Sequence, residues 1–144
     1  MKKNNNDKLI NVFTDGATVG HNGRLGTVSE VGIGVWIPSI ELKVSKRRSG
    51  ISNNEAEFIA LLCGMEECLR RGLRDVVFHM DSQIVVNRAN GNRPKGRKNQ
   101  NLRMDNFQKK VRYLAQFFND VWFIWIPREA NEVADILSKR ATYN

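Results

Sequence analysis

The stretch Leu9-Ile10-Asn11-Val12-Phe13-Thr14-Asp15-Gly16 is an apolar run of strand length that stops on an acidic turn dipeptide. A carboxylate at the C-terminal end of a central strand stands where open α/β sheets hold their ligands. Three further acids, Glu57, Asp81 and Asp135, each sit at a strand end or a helix start later in the chain. The other elements must then fold so as to bring these three to Asp15.

The rest of the chain supplies such a sheet. Gly16 to Gly26 holds four glycines and reads as a loop. Val31–Ile37 alternates apolar residues with glycine, as a strand with one crowded face does. After the Pro38-Ser39 turn, Glu41–Lys46 alternates polar and apolar, the pattern of a half-buried edge strand. Ser52 with Glu55 forms a capping box, and Phe58, Ile59, Leu62, Met65 and Leu69 predict a helix of about five turns closed by Gly72. Asp75–Met80 is a strand ended by Asp81-Ser82, and Ser82 caps a helix to Ala89. A loop, Asn90–Asn99, leads to a helix over Leu102–Phe118. Val121–Ile126, the most hydrophobic strand, is placed centrally, with at least one of Trp122 and Trp125 in the core and Trp36 there too. Asn131 starts a last helix. The order βββαβααβα specifies an α/β fold with a five-stranded mixed sheet. It combines a three-strand antiparallel meander with two parallel strands, and helices lie on both faces. Parallel strands end on one side, so Asp15 and Asp81 become neighbours.

Residues 8–144 read as a single domain behind a polar lead-in, 1–7, expected to be disordered. No run approaches the ~18 apolar residues of a membrane span. Cys63 and Cys68, five apart in a helical pattern with no ligand pair nearby, are expected to be reduced core residues of a cytoplasmic protein. The net charge of +8 favours polyanionic partners, nucleic acid first. It is concentrated: Arg88, Arg93, Lys95, Arg97, Lys98, Arg103, Lys109, Lys110 and Arg112 face a single acid, Asp105, in that segment.

Together these residues resemble the type 1 ribonuclease H family over nearly the whole chain. Thr14-Asp15-Gly16-Ala17, Ser52-Asn53-Asn54-Glu55-Ala56-Glu57, Asp81-Ser82-Gln83 and Asn131-Glu132-Val133-Ala134-Asp135 match its motifs in order. The resemblance implies an endonuclease that hydrolyses the RNA strand of RNA–DNA hybrids with two Mg²⁺ ions, Mn²⁺ being a possible substitute. Phosphodiester hydrolysis needs an activated water and a neutralised leaving oxygen, and two ions roughly 4 Å apart supply both. Hard cations take oxygen ligands, so a carboxylate cluster suits them. By resemblance Asp15 bridges both ions, Glu57 and Asp81 hold one, and Asp135 holds the other. Glu55 has its task in the capping box and is left out of the site. Many members carry a histidine in the loop after the fifth strand. Here that loop is Pro127-Arg128-Glu129-Ala130, so the chain resembles the subgroup lacking both that histidine and the basic handle. Arg128 is offered in its place, on the scissile phosphate. His79 falls in a strand as a structural residue, and His21 in the glycine-rich loop.

Telling RNA from DNA requires contact with the 2′-OH, both donor and acceptor, which amide side chains match. Asn53, Asn54 and Gln83 flank the carboxylates, with Asn22 and Asn131 as further candidates and Ser52 near a DNA phosphate. Arg93, Lys95, Arg97 and Lys98 are expected to bind phosphates without sequence preference. The expected partner is the hybrid, with no membrane and no obligate protein partner, the chain being a monomer. Another nuclease of the same superfold would not need the asparagine-rich helix start. A non-catalytic binding module would not need all four acids. A domain excised from a reverse transcriptase is disfavoured by the short handle-less connection and self-contained termini.

Overall fold

The computed structural model describes residues 9–18, 29–92 and 102–143. Asn22, His21, Arg93, Lys95, Arg97, Lys98 and the 1–7 lead-in lie outside the described residues, the lead-in with Lys8 beside it. The elements are β1 (Ile10–Thr18), β2 (Ser29–Ile37), β3 (Leu42–Gly50), α1 (Asn53–Arg70), β4 (Asp75–Met80), α2 (Gln83–Ala89), α3 (Leu102–Ala115), β5 (Asp120–Trp125) and α4 (Glu132–Arg140). They form one mixed sheet in the order β3-β2-β1-β4-β5. β1–β2 and β2–β3 are antiparallel, while β1–β4 and β4–β5 are parallel. This is the expected five-stranded arrangement.

Glycine decides how closely the helices approach. On one face of the sheet a Cβ at Gly16 would lie 2.2 Å from the Ala56 carbonyl of α1. Gly32 and Gly34, whose Cβ atoms would lie 2.1 Å from Ser138 O and 2.3 Å from Ala134 O, admit α4 on the other. The register pairs Gly16 with Ile33 but Asp15 with Gly34, so the two approaches are on opposite faces. Beneath α1 and α3 lies the core: Val12, Phe58, Leu61, Phe78, Met80 and Val111. Each large side chain buried there contributes about 1.5–3 kcal/mol.

Two expectations are corrected. β1 does not stop at Asp15-Gly16 but runs to Thr18, because Gly16 is demanded by the approach of α1 and not by a turn. Its parallel ladder with β4 ends at Phe13–His79, while its antiparallel ladder with β2 continues to Thr18. Asp15 is thus at the end of one ladder and inside the other. β5 is an edge strand, not a central one. Trp122 and Trp125 are 55% and 47% exposed, so neither is core; Phe123 alone of that strand is buried. Trp36 is half-buried, tilted against Phe13 at 5.1 Å, and Phe13 stacks on His79.

Candidate active site

Local sequence places each acid. Asp15 lies in β1 just past its last pairing with β4. Glu57 is in the first turns of α1, whose start is held by Ser52 Oγ accepting from the Glu55 N–H. The Glu55 carboxylate closes the cap one residue earlier than a standard box, on the Ile51 N–H, and takes Arg103 besides. Asp81 ends β4, beside Ser82, whose hydroxyl caps α2.

The fold brings carboxylate oxygens of Asp15, Glu57 and Asp81 within 4.8 Å of one another. Glu57 Oε1 accepts from the Gly16 N–H at 3.3 Å, possible because nothing but hydrogen separates Gly16 from α1. Asp135, in the first turn of α4, stands outside this triangle, near enough to Asp15 to raise its pKa, and is paired with Lys139 at 3.2 Å. The Ser138 hydroxyl lies 2.7 Å from Asp135 O and 3.3 Å from Asp15 Oδ2.

Bare carboxylates gathered this way are costly. Burial first, then the charges of Asp81 and Asp135, push the Asp15 carboxyl up from 3.8 to about 6 against the opposing hydrogen bond from Glu57. Glu57 is raised well above its ordinary value, by burial first and then by Asp15. Glu57 Oε2 is buried without a hydrogen-bond partner among the described residues. Three converging carboxylates, two of them buried and one with an orphaned oxygen, fit a hard divalent cation, whose charge would remove the repulsion.

Asn131 is the departure from expectation. It is 1% exposed and cannot meet a substrate. Its Nδ2 donates to Asp81 Oδ2 at 2.9 Å and to Thr14 O at 3.0 Å, tying the start of α4 to β1 and to the end of β4. Two neighbours escaped sequence reasoning. Ser138 follows Asp135 by three residues on a helix, a spacing that puts both on one face. Trp125 donates from Nε1 to Asp81 O at 3.2 Å, and nothing local signals that.

A family model described as reverse transcriptase-like matches residues 34–141, three quarters of the chain. The chain belongs to that family. Bifunctional protein Rv2228c of Mycobacterium tuberculosis is 31% identical over 133 residues, which are 90% of this chain and 34% of that protein. The chain thus spans about a third of that relative's length. LC11-RNase H1, isolated from compost by a metagenomic approach, superposes with a TM-score of 0.74 at 26% identity, covering 94% of this chain and 96% of that one. Its structure in complex with RNA/DNA hybrid gives 0.69 at 24%, covering 92% and 96%. RNase H1 of the archaeon Halobacterium salinarum gives 0.68 at 25%, again covering 92% and 96%. The chain has the ribonuclease H fold.

In this reverse transcriptase-like chain Asn53 and Asn54 open the helix that carries Glu57, and Gln83 follows Asp81 by two residues. Asn53 is exposed at the α1 N-terminus and accepts from Thr18 Oγ1 at 3.0 Å, joining α1 to the last residue of β1. Asn54 is half-buried and Gln83 exposed. Ser52 is engaged in the cap. Arg128 is exposed in the single turn Arg128–Ala130 after β5. The basic segment is less open than its composition suggests. Arg88 is 5% exposed and bonds Asp105 at 2.5 Å, and Gln108 at 3.2 Å, bracing α2 on α3. Arg103 closes on Glu55. Among the described residues no helix is long and apolar enough to cross a membrane.

Proposed function

We propose that this protein is an endoribonuclease that hydrolyses the RNA strand of RNA–DNA hybrids by two-metal-ion catalysis, acting as a cytoplasmic monomer. The observation that carries the reading is the Asp15–Glu57–Asp81 triangle on a fold whose α1 opens with the exposed Asn53 amide. The hybrid complex of LC11-RNase H1 supports the substrate class.

Asp15, Glu57 and Asp81 would hold one Mg²⁺, and Asp15 with Asp135 the other; Mn²⁺ can take the same oxygen ligands. Ions so held would lower the pKa of an attacking water and neutralise the leaving oxygen. The protein's own residues do the positioning. Asn131 fixes the rotation of the Asp81 carboxylate through Oδ2. Ser138 stands against Asp15 and the Asp135 carbonyl. Asn53, Asn54 and Gln83 can offer both donor and acceptor to a 2′-OH, which a DNA strand lacks. Arg128, and the segment carrying Arg93, Lys95, Arg97 and Lys98, would take phosphate oxygens, Arg128 next to the scissile bond.

The test is cleavage of an end-labelled RNA–DNA hybrid with Mg²⁺, beside double-stranded RNA, double-stranded DNA and the Asp15→Asn variant. Internal cuts in the RNA strand of the hybrid alone, abolished by EDTA and by the substitution, are expected. Cleavage of DNA duplex as well would point to another nuclease of the superfold. Binding with no cleavage under Mg²⁺ or Mn²⁺ would overturn the catalytic reading.

A further inference from the structure

An open groove of about 790 Å³ runs between α1 and α3, near the end of β3. Ile59, Leu62, Phe107 and Leu114 line it with apolar side chains that the core leaves partly uncovered. Tyr113 forms one wall, 60% exposed. Ile59 follows Glu57 by two residues, about 200° round the helix, so the groove and the acid triangle open in different directions. Nothing in the proposed reaction uses it.

Its rim is charged. Arg48, Lys109 and Lys110 border the groove, against one acid, Glu66. None of the three cations is ion-paired among the described residues; Lys110 rests its ammonium over the Phe107 ring at 5.6 Å. An apolar floor with a cationic rim calls for a ligand with a large apolar side chain and negative charge around it. A nucleic-acid duplex supplies the charge but keeps its bases stacked inside, and a floor that is mostly aliphatic (Ile59, Leu62, Leu114) offers an unpaired base only the Phe107 and Tyr113 rings to stack on. A second copy of this chain, itself carrying +8, would be repelled by the rim.

We infer that the α1–α3 groove is a docking site for a partner protein's acidic peptide segment, anchored by one aromatic or aliphatic side chain. Since the groove faces away from the acids, a bound peptide leaves the reaction site open and acts by recruitment.

The full chain is titrated with a fluorescein-labelled synthetic peptide carrying one phenylalanine among aspartates, followed by fluorescence anisotropy. Saturable binding is expected that weakens with salt and falls about tenfold or more with Tyr113→Ala, with Lys109→Glu plus Lys110→Glu, or with serine in place of the peptide's phenylalanine. These residues are exposed, and unchanged melting temperatures would show the variants folded. Backbone amide NMR shifts are expected around Ile59, Leu62 and Tyr113. The inference is overturned by failure to saturate, by equal binding of the phenylalanine-free peptide, or by shifts centred on Glu57 and Asp81. It is also overturned if a single-stranded oligonucleotide, and not the peptide, depends on Tyr113 and Lys110.

Discussion

Asn131 and Asp81, 50 positions apart in the chain, meet at 2.9 Å, the amide of one holding the carboxylate of the other. The same amide nitrogen reaches Thr14 O, so one buried side chain joins three segments of the site. Asn131→Ala would leave the Thr14 carbonyl without this donor and free the Asp81 carboxylate. The expected cost is about 1–3 kcal/mol of stability, with a higher Mg²⁺ concentration for half-maximal cleavage. Thermal melts and Mg²⁺ activation curves measure the two effects. An unchanged activation curve would reduce Asn131 to a structural brace.

The acid cluster sets a pH dependence. Asp15 and Glu57 bind protons more tightly folded than unfolded, Asp15 shifting from 3.8 to about 6. Stability from Asp15 is full below its unfolded value and is lost as pH rises through about 6, and that from Glu57 is lost likewise as pH rises above its ordinary range. Glu55 and Glu67, held low chiefly by Arg103 and Arg70, act oppositely, their contribution being lost only on acidification below their ordinary range. Metal-free protein should therefore melt at lower temperature as pH rises from about 5.5 to 8, and Mg²⁺ should restore more at the upper end. A flat profile in EDTA would contradict this.

Neutralising the cluster should stabilise the metal-free fold while removing activity. Asp15→Asn takes one charge from the triangle, and a gain of about 1–3 kcal/mol at pH 8 is expected from the size of the shift. Urea unfolding in EDTA gives the number; destabilisation would mean that the Ser138 and Glu57 contacts outweigh the repulsion.

Gly16→Ala should be severe. Its Cβ would fall 2.2 Å from the backbone of Ala56, forcing α1 away from β1 and Glu57 away from Asp15. A loss of about 3 kcal/mol or more is expected, with metal-dependent stabilisation weakened. Wild-type stability would show that α1 can withdraw without cost.

Arg88 separates burial from charge. Arg88→Met should destabilise by about 1–3 kcal/mol because Asp105 and Gln108 each lose a hydrogen bond from its guanidinium. Hybrid binding should keep its salt dependence, since a lost phosphate contact lowers that slope by about 0.9 per charge. A lower slope would place Arg88 on the substrate instead.

The amino-acid sequence alone determined the elements and their order. Periodicity and caps are local, and the Ser52 and Ser82 hydroxyls bond the N–H groups three residues on, as their spacing requires. The glycine alternation of β2 announced its crowded face, and the parallel relation of β1 and β4 set Asp15 near Asp81. Tertiary structure decided what periodicity does not encode, namely which neighbour each residue meets. Gly16 looked like a turn because its partner, the backbone of Ala56, is 40 positions away. At least one of Trp122 and Trp125 looked like core because hydrophobicity does not say whether a strand has a neighbour on both sides; β5 has one. Asn131 and Arg88 looked like ligand-binding groups, since a polar side chain is recognisable in sequence but its burial depends on contacts between segments far apart in the chain.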